Sequence, residues 1–414
     1  MSTDTADKLE ELSAEALAFI NDPALRMEGA PFLHRVRAVA PVLRTDAGVW
    51  LVTRHADALA ILKDGERWSR RAFTEQHAGG IDPQVLEYHL SGRPTMSDGA
   101  AHRRLRNLAA PAFTPAAVKR WRTTMEEIAT NLLDELEPKG AMDATRELGY
   151  PFSQQLASFL LGVPYADHVL WESWQDRMLP LLVGIESEEG VRQATEATYE
   201  FAEYVAALAT TLREHPTDGL FSLMVNAEED GSRLSEVELV GFAHEILGAS
   251  FDSTANTVET VMWMLLRHPD QLAKLREDPS LWPAAIEEVL RYVSIGTMLL
   301  PRMAAEDVEL GGVTIPKGEV AIVYVDGPNR DPEVFEDPDR FDICRESKQH
   351  LSFGFGTHFC LGAGLARIEG RVGLKVLHER YPELSVGRGT RRTTQVLRGY
   401  SSLPVSLRKP NPAG

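Results

Sequence analysis

The residues best placed to do chemistry lie in one ten-residue stretch, Phe353 to Gly362, which reads FGFGTHFCLG. It sets Cys360 at the mouth of an apolar, helix-like segment, LGAGLARIEGRVGLKVL, with Gly354 and Gly356 just before it. Glycine admits positive φ and close backbone approach, so a loop of this kind can aim peptide N–H groups at a sulfur atom. A thiol ligates a metal as the thiolate, and a helix N-terminus beside it favours that anion. Metal ligation is therefore the chemistry this stretch offers. A cysteine standing alone is also commonly a small buried hydrophobe, and the loop by itself leaves both readings open.

Three other spacings carry chemical meaning. In AAHRRLRNLAAPAF, His102 and Arg106 are four apart and share one helix face, as a cationic grip or as a solvated basic turn. In WPAAIEEVLRYV, Glu288 and Arg291 stand at i and i+3, where an ordinary surface ion pair is worth about 0.3 to 0.5 kcal/mol. The run from Ser235 to Arg267 is apolar over most of its circumference but has a polar centre, GASFDSTANT. Ser and Thr there can bond back to carbonyls one turn earlier and bend the helix, or serve only as small residues for close packing.

The elements that must position these residues can be read along the chain. VLRT, DAG and VWLVT predict a hairpin over Val42 to Thr53, followed by a helix, ADALAILKD, closed by Gly65. Trp68 to Asp98 predicts a long irregular loop with one short helix, DPQVLEYHL. Pro115 to Glu137 has a helical apolar period, with Thr114 as N-cap. Helical patterning continues through the middle of the chain. Ser235 and Glu238 have capping-box spacing at the start of the long helix. VELGGVTIPKGEVAIVYV predicts short strands, NRDPEVFEDPDRFDICRES a packed coil, and TTQVLRG and LPVSLR β-like pieces near the C-terminus.

The bulk properties exclude several classes of function. With 414 residues, 43% of them apolar and 25% charged, the composition is that of a folded globular protein with a large core. A net charge of −18 argues against nucleic acid as partner. Two cysteines, Cys344 and Cys360, form no disulfide framework and fit a reducing cytoplasm. The acidic N-terminus lacks the features of a signal peptide, and no run approaches the ~18 apolar residues of a membrane span. A cytoplasmic protein is expected.

Taken together, these segments resemble a soluble bacterial cytochrome P450, a haem-thiolate monooxygenase, over nearly the whole chain. The pattern FGxGxHxCxG is matched at Phe353, Gly354, Gly356, His358, Cys360 and Gly362. Glu288 and Arg291 match the ExxR helix, with Arg340 and Arg345 both open as the third member of a Glu-Arg-Arg triad. His102 and Arg106 match the HxxxR haem-contacting helix, and the interrupted long helix matches the oxygen-binding helix. The resemblance implies a mainly α fold with small β-sheets (α+β), a long central helix over the haem, and one catalytic domain spanning 1–414. It implies haem b as cofactor and Cys360 as its axial metal ligand. The other haem contacts it implies are His102, Arg106, Ala249, Arg302, Phe353, Gly354, His358 and Gly362.

Haem carries two propionates, and His102, Arg106, Arg302 and His358 suit them. A thiolate opposite the oxygen site favours O–O cleavage. Asp252, Ser253 and Thr254 are the implied catalytic residues. Here the chain departs from the usual Ala-Gly-x-Asp/Glu-Thr-Thr, with Ser250 in place of glycine and Ser253 in place of threonine. A serine hydroxyl keeps the hydrogen-bonding capacity but loses the methyl group that stiffens χ1, so proton delivery with more uncoupling is expected. Substrate contacts are implied in the loop from Arg70 to Met96, at Phe251, Ile295, Thr297, Met298, Leu299 and Leu300, and near Tyr400 to Leu403. These residues are mostly apolar, which predicts a hydrophobic organic substrate, with Ser294, Thr297 and His244 as candidate orienting groups.

No flavin or dinucleotide fingerprint follows a strand, so electrons are expected from a ferredoxin and its reductase. Arg103, Arg104, Arg367 and Arg371 are the candidate docking patch. Oxidation with O2 is the leading expectation. A peroxide-driven or oxidative-coupling enzyme of the same fold is an alternative, and a haem sensor or carrier without catalysis is a second.

Overall fold

In the computed structural model, residues 3–70, 81–183, 187–228, 231–299, 301–346, 349–392 and 397–407 are described. The helices that carry candidate residues are α1 (His55–Lys63), α2 (Pro83–Leu90), α3 (Gly99–Ala109), α4 (His168–Met178), α5 (Glu236–Arg267), α6 (Trp282–Tyr292) and α7 (Ala363–Arg380). The chain divides into two compact units, each assembled from separated segments. The first comprises Met1–Ser69, Met125–Tyr150 and Ser253–Gly414, and the second Arg70–Thr124 and Pro151–Asp252.

The first unit holds a five-stranded sheet made of β1 (Val42–Arg44), β2 (Val49–Val52), β3 (Trp68–Ser69), β4 (Arg302–Ala304) and β5 (Val320–Val323), in the order β1-β2-β5-β4-β3. The hairpin read from VLRT-DAG-VWLVT is present, with Val42 opposite Val52 and Arg44 opposite Trp50. Among the described residues of this sheet, only β2 and β5 pair in parallel. Val42, Trp50 and Val52 of the sheet meet Ala58, Ile61 and Leu62 of α1 in one buried cluster, which is why the helical spacing of those three residues matters. A carboxylate remote in sequence starts α1, since the His55 amide donates to Asp331 Oδ2 at 2.8 Å. The helix ends at Lys63, not at Gly65: the Asp64 carboxylate turns the chain instead, accepting from the Arg67 amide at 3.0 Å.

The short strands expected after residue 307 form at Val308–Leu310, Val313–Ile315 and β5. LPVSLR contributes the strand Pro404–Ser406, while residues 393–396 of TTQVLRG lie outside the described residues.

The second unit is helical. The short helix expected in DPQVLEYHL is α2, with Asp82 accepting from the Gln84 amide as N-cap. The long helix α5 begins with the reciprocal capping box read from the sequence. Ser235 Oγ accepts from the Glu238 amide at 3.2 Å, and the Glu238 carboxylate accepts from the Ser235 amide at 2.8 Å. Its polar centre does bond back, through Ser250 Oγ to the Ile246 carbonyl and Thr257 Oγ1 to the Ser253 carbonyl. The helix nevertheless runs unbroken from Glu236 to Arg267.

Candidate functional site

The cysteine loop is fixed by its own backbone. The amides of Gly354, Phe359 and Cys360 donate to the carbonyls of Leu351, Gly356 and Phe353 at 2.8, 3.1 and 2.9 Å. Gly354 and Gly356 adopt φ of 68° and 70°, the left-handed region that disfavours a side chain. At Gly356 a Cβ would also stand 2.3 Å from the Leu62 carbonyl oxygen, so the loop seats directly on the end of α1. Two residues after Gly362, which caps α7, the helix presents open space at Gly364. Cys360 is exposed and unbridged, as is Cys344, so the reading of Cys360 as a small buried hydrophobe falls away. His358 is half-buried.

Glu288 and Arg291 do not make the ordinary surface pair that spacing alone allowed. Their side chains are 3% and 1% exposed, and Arg291 Nε and Nη2 each donate to the Glu288 carboxylate at 2.8 Å. The open third place is filled by Arg345, whose Nε donates to Glu288 Oε1 at 3.3 Å. Arg340 is instead 64% exposed and pairs with Asp342. Arg291 Nη1 donates to the carbonyls of Asn329 and Pro338, so the triad ties α6 to the coil that precedes the cysteine loop.

On α5, Gly248 and Ala249 are exposed midway along a helix whose neighbouring residues are mostly buried. Asp252 is half-buried, and burial, then the like charge of Asp176, pushes its carboxyl above the usual range. Ser253 is half-buried, and its carbonyl accepts the Thr257 hydroxyl. Thr254, grouped with them by sequence, is buried and differently engaged, because its hydroxyl donates to Glu369 Oε2 of α7 at 2.7 Å. Glu369 is 3% exposed, and burial pushes its carboxyl up to about 7. Gly370 permits this approach, since even a Cβ there would lie 3.2 Å from Thr257 Cγ2. Glu369 was missed by the sequence reading. Its one signal was a lone carboxylate in the apolar run after Cys360.

Of the cations assigned to haem carboxylates, His102 on α3 and Arg302 on β4 are 3% and 4% exposed, while Arg106 is half-buried one turn beyond His102. His102 is thus no part of a solvated turn. In the first unit, an exposed thiol at a helix start and the buried guanidinium of Arg302 suit a thiolate-ligated macrocycle bearing carboxylates.

The residues assigned to substrate divide between the two units. In the first, Ile295 and Thr297 are buried and Met298 and Leu299 half-buried. They run beside β5, with the Leu299 amide donating to the Val323 carbonyl and Met298 bridged to Tyr324. In the second, Phe251 is 5% exposed. Residues 71–80 of the expected substrate loop, and Leu300, lie outside the described residues. A cleft of about 380 Å³ in the first unit is lined by Tyr400 together with Trp263, Arg267 and Arg391, and it contains no residue assigned to haem.

Among the orienting candidates, Ser294 accepts from Asn329 Nδ2 at 3.0 Å and serves the structure. His244 packs against His89 and Phe201, and burial, followed by the charges of Arg93 and His89, holds it well below its usual pKa. In the docking patch, Arg103 is exposed, but Arg104 is committed to Glu238 at 2.6 Å and Arg367 to Glu287 at 2.6 Å.

Residues 186–384 match the family description of cytochrome P450. The polyketide biosynthesis cytochrome P450 PksS of Bacillus subtilis (strain 168) is 35% identical over 87% of this chain and 89% of its own length. Cytochrome P450 monooxygenase PikC of Streptomyces venezuelae is 36% identical over 93% and 92%. The solved structure of P450BioI in complex with a hexadec-9Z-enoic acid ligated acyl carrier protein is 30% identical, has a TM-score of 0.85, and covers 93% of this chain and 99% of its own. With Cys360 in its glycine loop and a buried Glu288–Arg291–Arg345 triad, this chain belongs to the cytochrome P450 family of haem b oxidoreductases.

Proposed function

We propose that this enzyme inserts one oxygen atom from O2 into a small hydrophobic organic substrate, with electrons from a ferredoxin-type partner and its reductase, in the cytoplasm. Residues 1–414 are read as a single catalytic domain, in keeping with relatives that align over about nine-tenths of the chain. The observation that carries the reading is the exposed Cys360 thiol, held at the start of α7 by a loop that two left-handed glycines define.

Haem b, when bound, supplies the iron at which dioxygen is activated. Cys360 would ligate that iron, with the helix N-terminus favouring the thiolate. His102, Arg106, Arg302 and His358 would be the partners of the haem carboxylates, and Phe353, Gly354, Gly362 and Ala249 would make room for the group. Asp252 keeps its proton to higher pH than an ordinary aspartate and is the proton source, with the Ser253 hydroxyl next to it in the chain as relay. Thr254 has a supporting part, because its hydroxyl is held by Glu369. Phe251, Ile295, Met298 and Leu299 supply apolar substrate contacts, and Thr297 and His244, the latter kept neutral at pH 7, supply polar groups to orient a substrate. The names of PksS and of the P450BioI complex support substrates built from acyl chains.

The test is turnover of a panel of fatty acids and macrolactones under isotopically labelled dioxygen, with ferredoxin, its reductase and reduced nicotinamide cofactor. Label entering the product supports the reading. Turnover driven by peroxide alone, with no need of O2 or ferredoxin, would replace it with the peroxide-driven alternative.

A further inference from the structure

The cleft of about 380 Å³ in the first unit has no part in the chemistry proposed above. It is lined from α5 and from the antiparallel strands Thr390–Arg391 and Tyr400–Ser402. None of the residues assigned to haem borders it, and of those expected near substrate only Tyr400 does. Its volume is in the range that holds a small organic molecule.

The charge on its walls runs against that of the chain. With 61 acidic side chains to 43 basic ones, an arginine here has carboxylates in excess to choose from. Two arginines of the cleft nevertheless take none. Among the described residues, no carboxylate pairs with Arg267, on the last turn of α5, or with Arg391, on the strand. Arg391 is held by aromatic rings instead. Its guanidinium carbon lies 5.5 Å from the centroid of Trp263 and 5.4 Å from that of Tyr400, and those two rings stand 6.0 Å apart. A guanidinium seated on rings keeps its N–H edge for a planar acceptor. Arg267 follows Trp263 by four residues and so shares its face of α5. Burial pushes the Tyr400 phenol up to about 12, against the charges of Arg391 and Arg267, which both reach it.

Most of the remaining charged groups on the walls are committed to one another or to the fold. Asp326 accepts from Arg398 Nη1 at 2.8 Å, and Arg330 Nη1 donates to Asp339 at 2.7 Å. Glu28 is the one lining carboxylate outside these pairs, so two arginines face one acid and a single positive charge is left over. A helix C-terminus disfavours an anion, but His268 covers this one. Its amide donates to the Leu265 carbonyl at 3.3 Å, and its Nδ1 to the Met264 carbonyl at 2.8 Å.

We propose that this cleft is a second small-molecule site, sharing no residue with the haem site, and that it takes a flat organic monocarboxylate. The carboxylate meets Arg391 and Arg267, and the apolar body lies against Trp263, Met264 and Pro31. One surplus cation matches one negative charge, and the aromatic walls match a planar body. The inference is independent of which substrate the enzyme oxidises.

Calorimetric titration of naphthalene-2-carboxylate into the haem-loaded protein tests it, with the Soret band followed in parallel and the neutral carboxamide as comparison. Wild type should bind the carboxylate saturably with the Soret band unmoved, and the carboxamide about tenfold more weakly. Arg391→Gln and Arg267→Gln should each weaken the carboxylate by about threefold to tenfold and narrow its lead over the carboxamide. Glu28→Gln should tighten it by about twofold. Lys375→Gln, on α7 and paired with Glu379, should leave it unchanged. No saturable binding at millimolar carboxylate overturns the inference, as does equal affinity for the carboxamide or an affinity that neither arginine variant alters. A Soret shift that tracks binding places the ligand at the haem and overturns it too. Should Arg391→Gln fail to fold, Arg267→Gln decides: weakened binding supports the site and unchanged binding overturns it.

Discussion

Glu369 gives the account a quantitative handle that does not depend on turnover. Glu369 is 3% exposed, and its carboxyl accepts a hydrogen bond from the Thr254 hydroxyl, which draws its pKa down while burial drives it up from 4.5 to about 7. That rise corresponds to about 3 kcal/mol of differential interaction. The folded carboxyl holds its proton more tightly than the unfolded one, so unfolding releases a proton between the two pKa values. The associated stability is fully present below about 4.5 and is lost as pH rises through about 7. Glu369→Gln keeps an oxygen to accept from Thr254 but has no proton to lose. Relative to wild type, the variant should gain about 2 to 3 kcal/mol between pH 5 and pH 8. Urea unfolding of both proteins across that range measures it, because every other titrating group is shared and cancels in the difference. A stability difference that stays constant from pH 5 to pH 8 would refute the buried, protonated Glu369.

Three further outcomes follow from the same geometry. Arg345→Met should cost about 2 to 3 kcal/mol in urea unfolding, since it removes a charged hydrogen bond to the 3%-exposed Glu288, whereas Arg340→Met should stay within about 0.5 kcal/mol; equal effects would undo the assignment of the third arginine. Gly356→Ala should lower stability by more than about 2 kcal/mol and weaken haem retention on a desalting column. It places a Cβ at φ 70° and 2.3 Å from the Leu62 oxygen. Ser253→Ala should reduce product formed per electron pair by roughly tenfold or more, read as product against nicotinamide consumed; unchanged coupling would remove Ser253 from the proton path.

What could be read from the sequence was what local spacing encodes. The Val42–Val52 hairpin, the Ser235–Glu238 capping box and the helix after Cys360 each follow from residues within a few positions of one another. The cysteine loop was legible for the same reason, since Gly354, Gly356 and Cys360 carry its geometry between them. Choices decided by distant partners were not. Arg340 and Arg345 are equally placed in the coil, and only the folded chain brings Arg345 to Glu288, 57 residues away. Thr254 reads as one more hydroxyl of the oxygen-side run until Glu369, 115 residues later, claims it. Arg104 and Arg367 look like free surface cations until Glu238 and Glu287 reach them through the fold.

The central claim is that Cys360 ligates haem iron as a thiolate, and the absorption spectrum of the reduced, carbon monoxide-treated protein tests it most directly. Wild type should show a strongly red-shifted Soret band, and Cys360→Ser should lose that shift. A wild-type protein that takes up no haem, or a red shift that survives the Cys360→Ser change, would contradict it.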